Sequence, residues 1–281
     1  MRDRAVSGTS PRRRSSIDLD APAERLAAFR ILTGGFTLAY LLIRLPVFVD
    51  LRDRPRTAFD AVGVLAPLDG PLPDAVLLVV IALSIAAGAA FTAGAAYRLS
   101  GPAFMLGVLV LTTYRSSWGQ LLHFENLIVL YLLVVGLSPA ADAWSIDARR
   151  RGRPERRDGS YGWPLALAAA TMVATYVIAG IAKLRYGGIE WITSDSLRNH
   201  VAYSATRLDL LGGTPSPLAG ALVAYGWIFP PMAAASVAIE LLAPMALISL
   251  RWRTPWVVAA WLMHVGIWAL MLVGFPAPLF G

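Results

Sequence analysis

From about residue 25 almost to its end, the chain alternates long apolar runs with short polar breaks. Seven runs stand out, at roughly residues 25–49, 75–97, 101–117, 121–138, 162–185, 230–250 and 255–274. Most approach the roughly 20 residues that an α-helix needs, at about 1.5 Å per residue, to cross about 30 Å of hydrocarbon. A helix satisfies every backbone N–H and C=O within its own segment, which lipid demands. The pattern therefore predicts an all-α, multi-pass integral membrane bundle of about seven transmembrane helices. Short links join the second run to the third (Arg98 and a Ser-Gly-Pro turn) and the third to the fourth (RSSWGQ). The connection 185–229 is long, and its stretch 217–228 (PLAGALVAYGWI) is too short to span. It is expected to lie at the interface or to dip in partway.

Composition and charge sharpen this picture. Hydrophobic residues make up 57% of the 281 and charged residues only 15%, against roughly 25% in soluble domains. The runs leave no room for a sizeable soluble domain. The absence of cysteine excludes disulfides, thiol catalysis and cysteine-held metals. A net charge of +7 would suit a nucleic-acid partner, but the basic residues cluster in short segments between spans. Seven Arg precede or include Arg30, six lie in the loop 139–161, and Arg251 and Arg253 mark a third segment. The loop 50–74 instead carries three Arg against five Asp. The positive-inside rule then places the N-terminus in and the C-terminus out, and it accounts for the charge without nucleic acid. Residues 1–21, polar and Arg-rich, are expected to be a disordered cytoplasmic tail. IDLDAPAERL follows Arg12–Arg14 in place of a short apolar region, so no cleaved signal peptide is expected. The expected location is the cell membrane, with lipids as neighbours. No clear inverted repeat argues for a transporter.

An ionisable group in hydrocarbon costs roughly 2.5–3.5 kcal/mol on insertion scales, so each one needs a reason. The candidates are Arg44, His123 (followed by Glu125 and Asn126), Lys183, Glu240 and His264. All five could converge on one cavity in the outer half of the bilayer. Tyr176, Gly180 and Lys183 follow at i, i+4 and i+7 on one helix face, where Gly180 would let another helix or a ligand approach closely. Trp261, His264 and Trp268 share a face of the last span. Each residue also has a plain structural reading. Lys183, the single Lys among 25 basic residues, could snorkel to the headgroups. Glu240 could pair with Arg44 or another buried partner, His264 could be a hydrogen-bonded core histidine, and His123 could be interfacial. His200 reads as an ordinary loop residue. No His falls in a short-spaced ligand motif, so no metal is expected.

Three stretches resemble a known family: HFENLIVLYLLVVGLSPAADAWSID (123–147), YVIAGIAKLRYGGIEW (176–191) and WLMHVGIW (261–268). They are similar to the membrane domain shared by vitamin K-dependent gamma-carboxylases and the horizontally transferred transmembrane (HTTM) proteins. The similarity assigns residues 22–281 to one HTTM-like transmembrane domain. One departure is Ser194, where the family often has Gly. The resemblance implies that Lys183, in the Ala-Gly-x-x-Lys-Leu core, is the base acting on a reduced quinone such as vitamin K or menaquinone hydroquinone. His123 and His264 would be its catalytic partners. Tyr176, Gly180, Trp191, Asn126, Glu240 and Trp268 would surround the quinone. In the family reaction the hydroquinone and O₂ give the epoxide, a glutamate γ-proton is removed, and CO₂ adds to the carbanion. A neutral amine can accept a phenolic proton, whereas an ammonium cannot, and an imidazole could stabilise developing oxyanion charge. The large C-terminal luminal region of the animal carboxylases lies outside the similarity. The expected partners are therefore a quinone and, on the outer side, a secreted peptide or protein. Two rivals stay open: a non-catalytic membrane protein that binds quinone or lipid or assists peptide export and maturation, and a small-solute transporter.

Overall fold

The computed structural model describes residues 19–119, 123–152 and 157–274. The proposed tail therefore falls almost wholly outside the described residues. Eight helices organise the rest: α1 (Ala23–Ile43), α2 (Asp74–Ala93), α3 (Tyr97–Ser116), α4 (His123–Gly136), α5 (Gly159–Gly187), α6 (Ser196–Leu210), α7 (Phe229–Leu241) and α8 (Leu250–Met271). Ala21–Pro22 and Arg157–Asp158 add one antiparallel pairing of two residues each. Seven of the helices coincide with the seven apolar runs. Four of them, α1, α2, α5 and α8, are long and apolar enough to cross a membrane. α3 has the length, at 20 residues, but carries Arg98, Arg115 and several hydroxyls. The described part of α4 has 14 residues, about 21 Å of helix, and α7 has only 13.

Three expectations change. The first run does not continue as one helix to residue 49: it breaks at Arg44 and resumes as Leu45–Val49, with Pro46 at the new start. Pro lacks an N–H and its fixed φ suits a first turn. The sixth run is also divided. α7 ends at Leu241, a short helix Met245–Ile248 follows Pro244, and α8 then starts at Leu250. Glu240, expected midway along a span, therefore sits at the end of a helix. Finally, the long connection 185–229 is largely helical. It contains Glu190–Thr193, α6 and Pro217–Leu222, and Ala219 packs with Val201, Phe229 and Leu270.

Helices α1 to α4 share one apolar core that includes Leu26, Phe91, Phe104 and Leu132. α3 crosses α4 at a close pair of glycines, Gly101 and Gly136. A Cβ on Gly101 would stand 2.6 Å from the Gly136 carbonyl oxygen, so only glycine permits this approach. A second, smaller core joins α5 to α8 through Val173, Tyr176, Ala243 and Ala260. Many Leu, Ile and Val side chains on the outer helix faces are exposed, for example Leu83, Leu99 and Ile178, as lipid-facing positions would be.

At the Arg-rich end the loop after α4 is held by its own carbonyls and carboxylates. Arg30 is fully buried. Its guanidinium donates to the carbonyls of Ala140 (2.6 Å), Ala143 (3.3 Å) and Trp144 (2.6 Å). Arg30, counted by sequence among the cytoplasmic charges, is thus an internal clasp. Asp147 accepts from the N–H groups of Ala96 (3.1 Å) and Tyr97 (2.9 Å) at the start of α3. Asp142 accepts from the Tyr161 hydroxyl at 3.1 Å. The ADAWSID string of the family resemblance serves here as the staple of one end of the bundle.

Candidate functional site

The Lys183 side chain leaves α5 near its end and meets Glu240 of α7. Its Nζ donates to Glu240 Oε1 in an ion pair. The Glu240 side chain is 7% exposed and that of Lys183 24%. Desolvation makes an unpaired carboxylate at this depth costly, and the ammonium offsets that cost. The helices come this close because residue 180 is glycine: a Cβ there would lie 3.0 Å from the Glu240 Cβ and 3.0 Å from a Leu241 methyl. Of the two approaches that Gly180 permits, that of a neighbouring helix is made by α7.

Of the partners expected for Glu240, Arg44 or another buried group, the second holds, and that group is Lys183. Arg44 sits, exposed, at the break that ends α1. Above the ion pair lies Trp191, with Lys183 Nζ 5.7 Å from its ring centroid, within reach of a cation–π attraction. Trp191 in turn contacts the His200 ring at 5.2 Å between centroids. His200, expected as an ordinary loop residue, lies on α6. Only the helix Glu190–Thr193 and the start of α6 bring it to Trp191, and no spacing in the chain shows that fold-back. Among the described residues, two buried atoms here have no hydrogen-bond partner: Glu240 Oε2 and Trp191 Nε1.

About two turns below along α5, Tyr176 and His264 meet. The Tyr176 hydroxyl lies 3.4 Å from His264 Nδ1, which also lies 2.8 Å from the Ala260 carbonyl. The two rings pack edge to face at 5.7 Å, and Trp256 closes on Tyr176 at 5.0 Å. His264 is buried, whereas Trp268 is 53% exposed, so the face expected to hold both divides between interior and surface. Tyr176, Lys183, Trp191, Glu240 and His264 thus gather where α5, α7 and α8 meet. His123 opens α4, but its side chain lies outside the described residues.

Of the five ionisable residues, Lys183, Glu240 and His264 lie at this junction, while Arg44 lies near Tyr40 and Glu125. A second polar group forms at α1, α3 and α4, which sequence reading did not single out. Arg115 Nη1 donates to Glu125 Oε1 at 2.6 Å and to the Tyr40 oxygen at 3.0 Å, and the Tyr40 hydroxyl donates to the same Glu125 oxygen. Asn126, expected near the quinone, lines a cavity beside this group. The available signal was the pair of opposite charges at the facing ends of the third and fourth runs. Among the described residues no three His, Asp or Glu side chains gather as metal ligands.

A family model described as the HTTM domain matches residues 20–276, nearly the whole chain. The chain belongs to the HTTM domain family. This is a membrane domain family related to gamma-carboxylase, so the protein is a membrane protein, as its apolar helices require. No curated protein and no solved structure matches the chain. Within this HTTM domain the Ala-Gly-x-x-Lys-Leu stretch, residues 179–184, forms the α5 side of the Lys183–Glu240 contact.

Proposed function

We propose that this HTTM domain is a cell-membrane enzyme that uses a reduced quinone, with Lys183 as the base. The observation that supports the reading most is the Lys183–Glu240 pair, with its two unpartnered buried atoms, Glu240 Oε2 and Trp191 Nε1. A buried acceptor and a buried donor without partners are costly, and the two hydroxyls of a quinol, one donating to Glu240 Oε2 and one accepting from Trp191 Nε1, would offset that cost. Bound there, the quinol would supply the electrons for O₂ reduction, as the gamma-carboxylase resemblance implies. Lys183 would pass its proton to Glu240 and, as a neutral amine, accept the proton of a ligand hydroxyl. Tyr176 and His264 would stabilise negative charge from below. Coupling to carboxylation of a secreted peptide on the outer face, seven spans, and the N-in, C-out orientation belong to the same proposal.

A second reading has one observation in its favour. An amine already bonded to a carboxylate can serve simply as a structural ion pair, leaving a protein that binds quinone or lipid without converting it. Purified protein supplied with menaquinone hydroquinone and O₂ separates the two. Epoxide detected by mass spectrometry in wild type, and at least about 100-fold less in Lys183→Arg, is the expected result, because Arg keeps the charge and the bond to Glu240 but does not deprotonate. Binding of menaquinone in both redox states with no epoxide from wild type would establish the second reading instead.

A further inference from the structure

We infer that the cleft at the Arg-rich end of the bundle, between the start of α3 and the loop after α4, binds an anionic phospholipid. Its headgroup phosphate would sit at Arg98 and Arg150, and its acyl chains along Leu99 and Leu137. The cleft measures about 1000 Å³, at the upper end of the roughly 300–1,000 Å³ of small-molecule pockets. Arg98 lines it from the first turn of α3, and Arg150 and Arg151 from the short helix Ile146–Arg151. Leu99 and Leu137 form part of its apolar wall. None of these residues belongs to the Lys183 site.

Charge calls for an anion. Two carboxylates, Asp142 and Asp147, line the same cleft, and both are engaged. Asp147 accepts from the Ala96 N–H with one oxygen and from the Tyr97 N–H with the other, and Arg151 stands 3.9 Å from it. Asp142 accepts from the Tyr161 hydroxyl. Arg98 and Arg150 are exposed, and among the described residues neither has an ion-pair partner; Arg150 acts on Asp147 only at a distance. Arg98 moreover stands at the end of α3 where the helix dipole disfavours a cation and favours an anion. A phosphate placed there meets both guanidinium groups, whose paired N–H donors match its oxygens.

The apolar wall decides the source of the phosphate. Arginines beside an apolar run are ordinary at a membrane surface; here they share one cleft with leucines that are themselves exposed, Leu99 at 75% and Leu137 at 62%. A free phosphate or a nucleotide would leave those side chains uncovered. A phospholipid covers them with hydrocarbon while its headgroup reaches the guanidinium groups, as basic pockets between membrane helices do for anionic headgroups.

Native mass spectrometry of the detergent-purified full chain, titrated with palmitoyl-oleoyl phosphatidylglycerol or phosphatidylcholine, tests this. The two lipids share acyl chains and a phosphate, but only the first has a net negative charge. Wild type should take up one tightly held phosphatidylglycerol per chain, at least about tenfold more tightly than phosphatidylcholine. Arg98→Gln/Arg150→Gln should weaken phosphatidylglycerol by at least about tenfold. Arg149→Gln/Arg251→Gln removes the same charge at exposed residues that do not line the cleft, and should change it little. Leu99→Gln/Leu137→Gln should also weaken the lipid, and excess inorganic phosphate should not displace it. Equal binding of the two lipids, equal loss in the two arginine pairs, undiminished binding in the leucine pair, or displacement by inorganic phosphate would each overturn the proposal. The Lys183 reading is judged by epoxide formation and does not depend on this outcome.

Discussion

Lys183 and Glu240 lie 57 residues apart in the chain and form one ion pair across the α5–α7 contact. Neither has another ion-pair partner among the described residues. The lone lysine of the chain is therefore opposed to the buried carboxylate of a helix whose length falls short of a full span. This pairing joins the second half of the bundle to α5 and positions the amine under Trp191.

The pair should be strongly non-additive in stability. Lys183→Met leaves the Glu240 carboxylate buried without a counter-charge and should cost about 3 kcal/mol, the range for breaking a buried pair. The double variant Lys183→Met/Glu240→Leu should cost clearly less than the sum of the two single changes. Thermal unfolding of the four proteins in one detergent measures the cycle. Additive costs would show that the two groups do not interact.

Gly180→Val should disturb the site without touching a charge. Its β-branched side chain would begin 3.0 Å from Glu240 and Leu241. Overpacking of this kind typically costs about 1–3 kcal/mol. The expected result is a lower unfolding temperature together with reduced epoxide formation. Gly35→Val, where nothing lies within 4 Å of an added Cβ, should change neither strongly.

Asp147 gives a pH dependence at the Arg-rich end. The Tyr97 N–H, then the Ala96 N–H and the nearby Arg151 and Arg150, hold its carboxyl below its usual value of 3.8, against a smaller opposing effect of burial. A depressed folded-state value means that its stabilisation is present above about pH 4 and is lost as pH falls through the folded value. Wild type should therefore lose more unfolding temperature between pH 5 and pH 3 than Asp147→Asn. At pH 7 the variant should be less stable by about 1 kcal/mol, as for other helix caps. Parallel pH profiles of the two proteins would remove Asp147 from this role.

The sequence by itself determined the class of the protein and the places of its main helices. Apolar runs near 20 residues have no soluble home, and lipid requires that their backbone groups bond within the run. Local strings carried the family as well, since ADAWSID and AGIAKL keep their spacing in the chain. What only the tertiary structure decided was which polar groups meet. Glu240 reached Lys183 rather than Arg44 because Gly180 lets α7 in and Pro244 ends the sixth run early. Arg115 and Tyr40 met Glu125 because α1, α3 and α4 share one core, a contact between residues up to 85 positions apart. Periodicity along one helix fixes which face a side chain takes, but the neighbour across that face depends on close packing between helices distant in the chain.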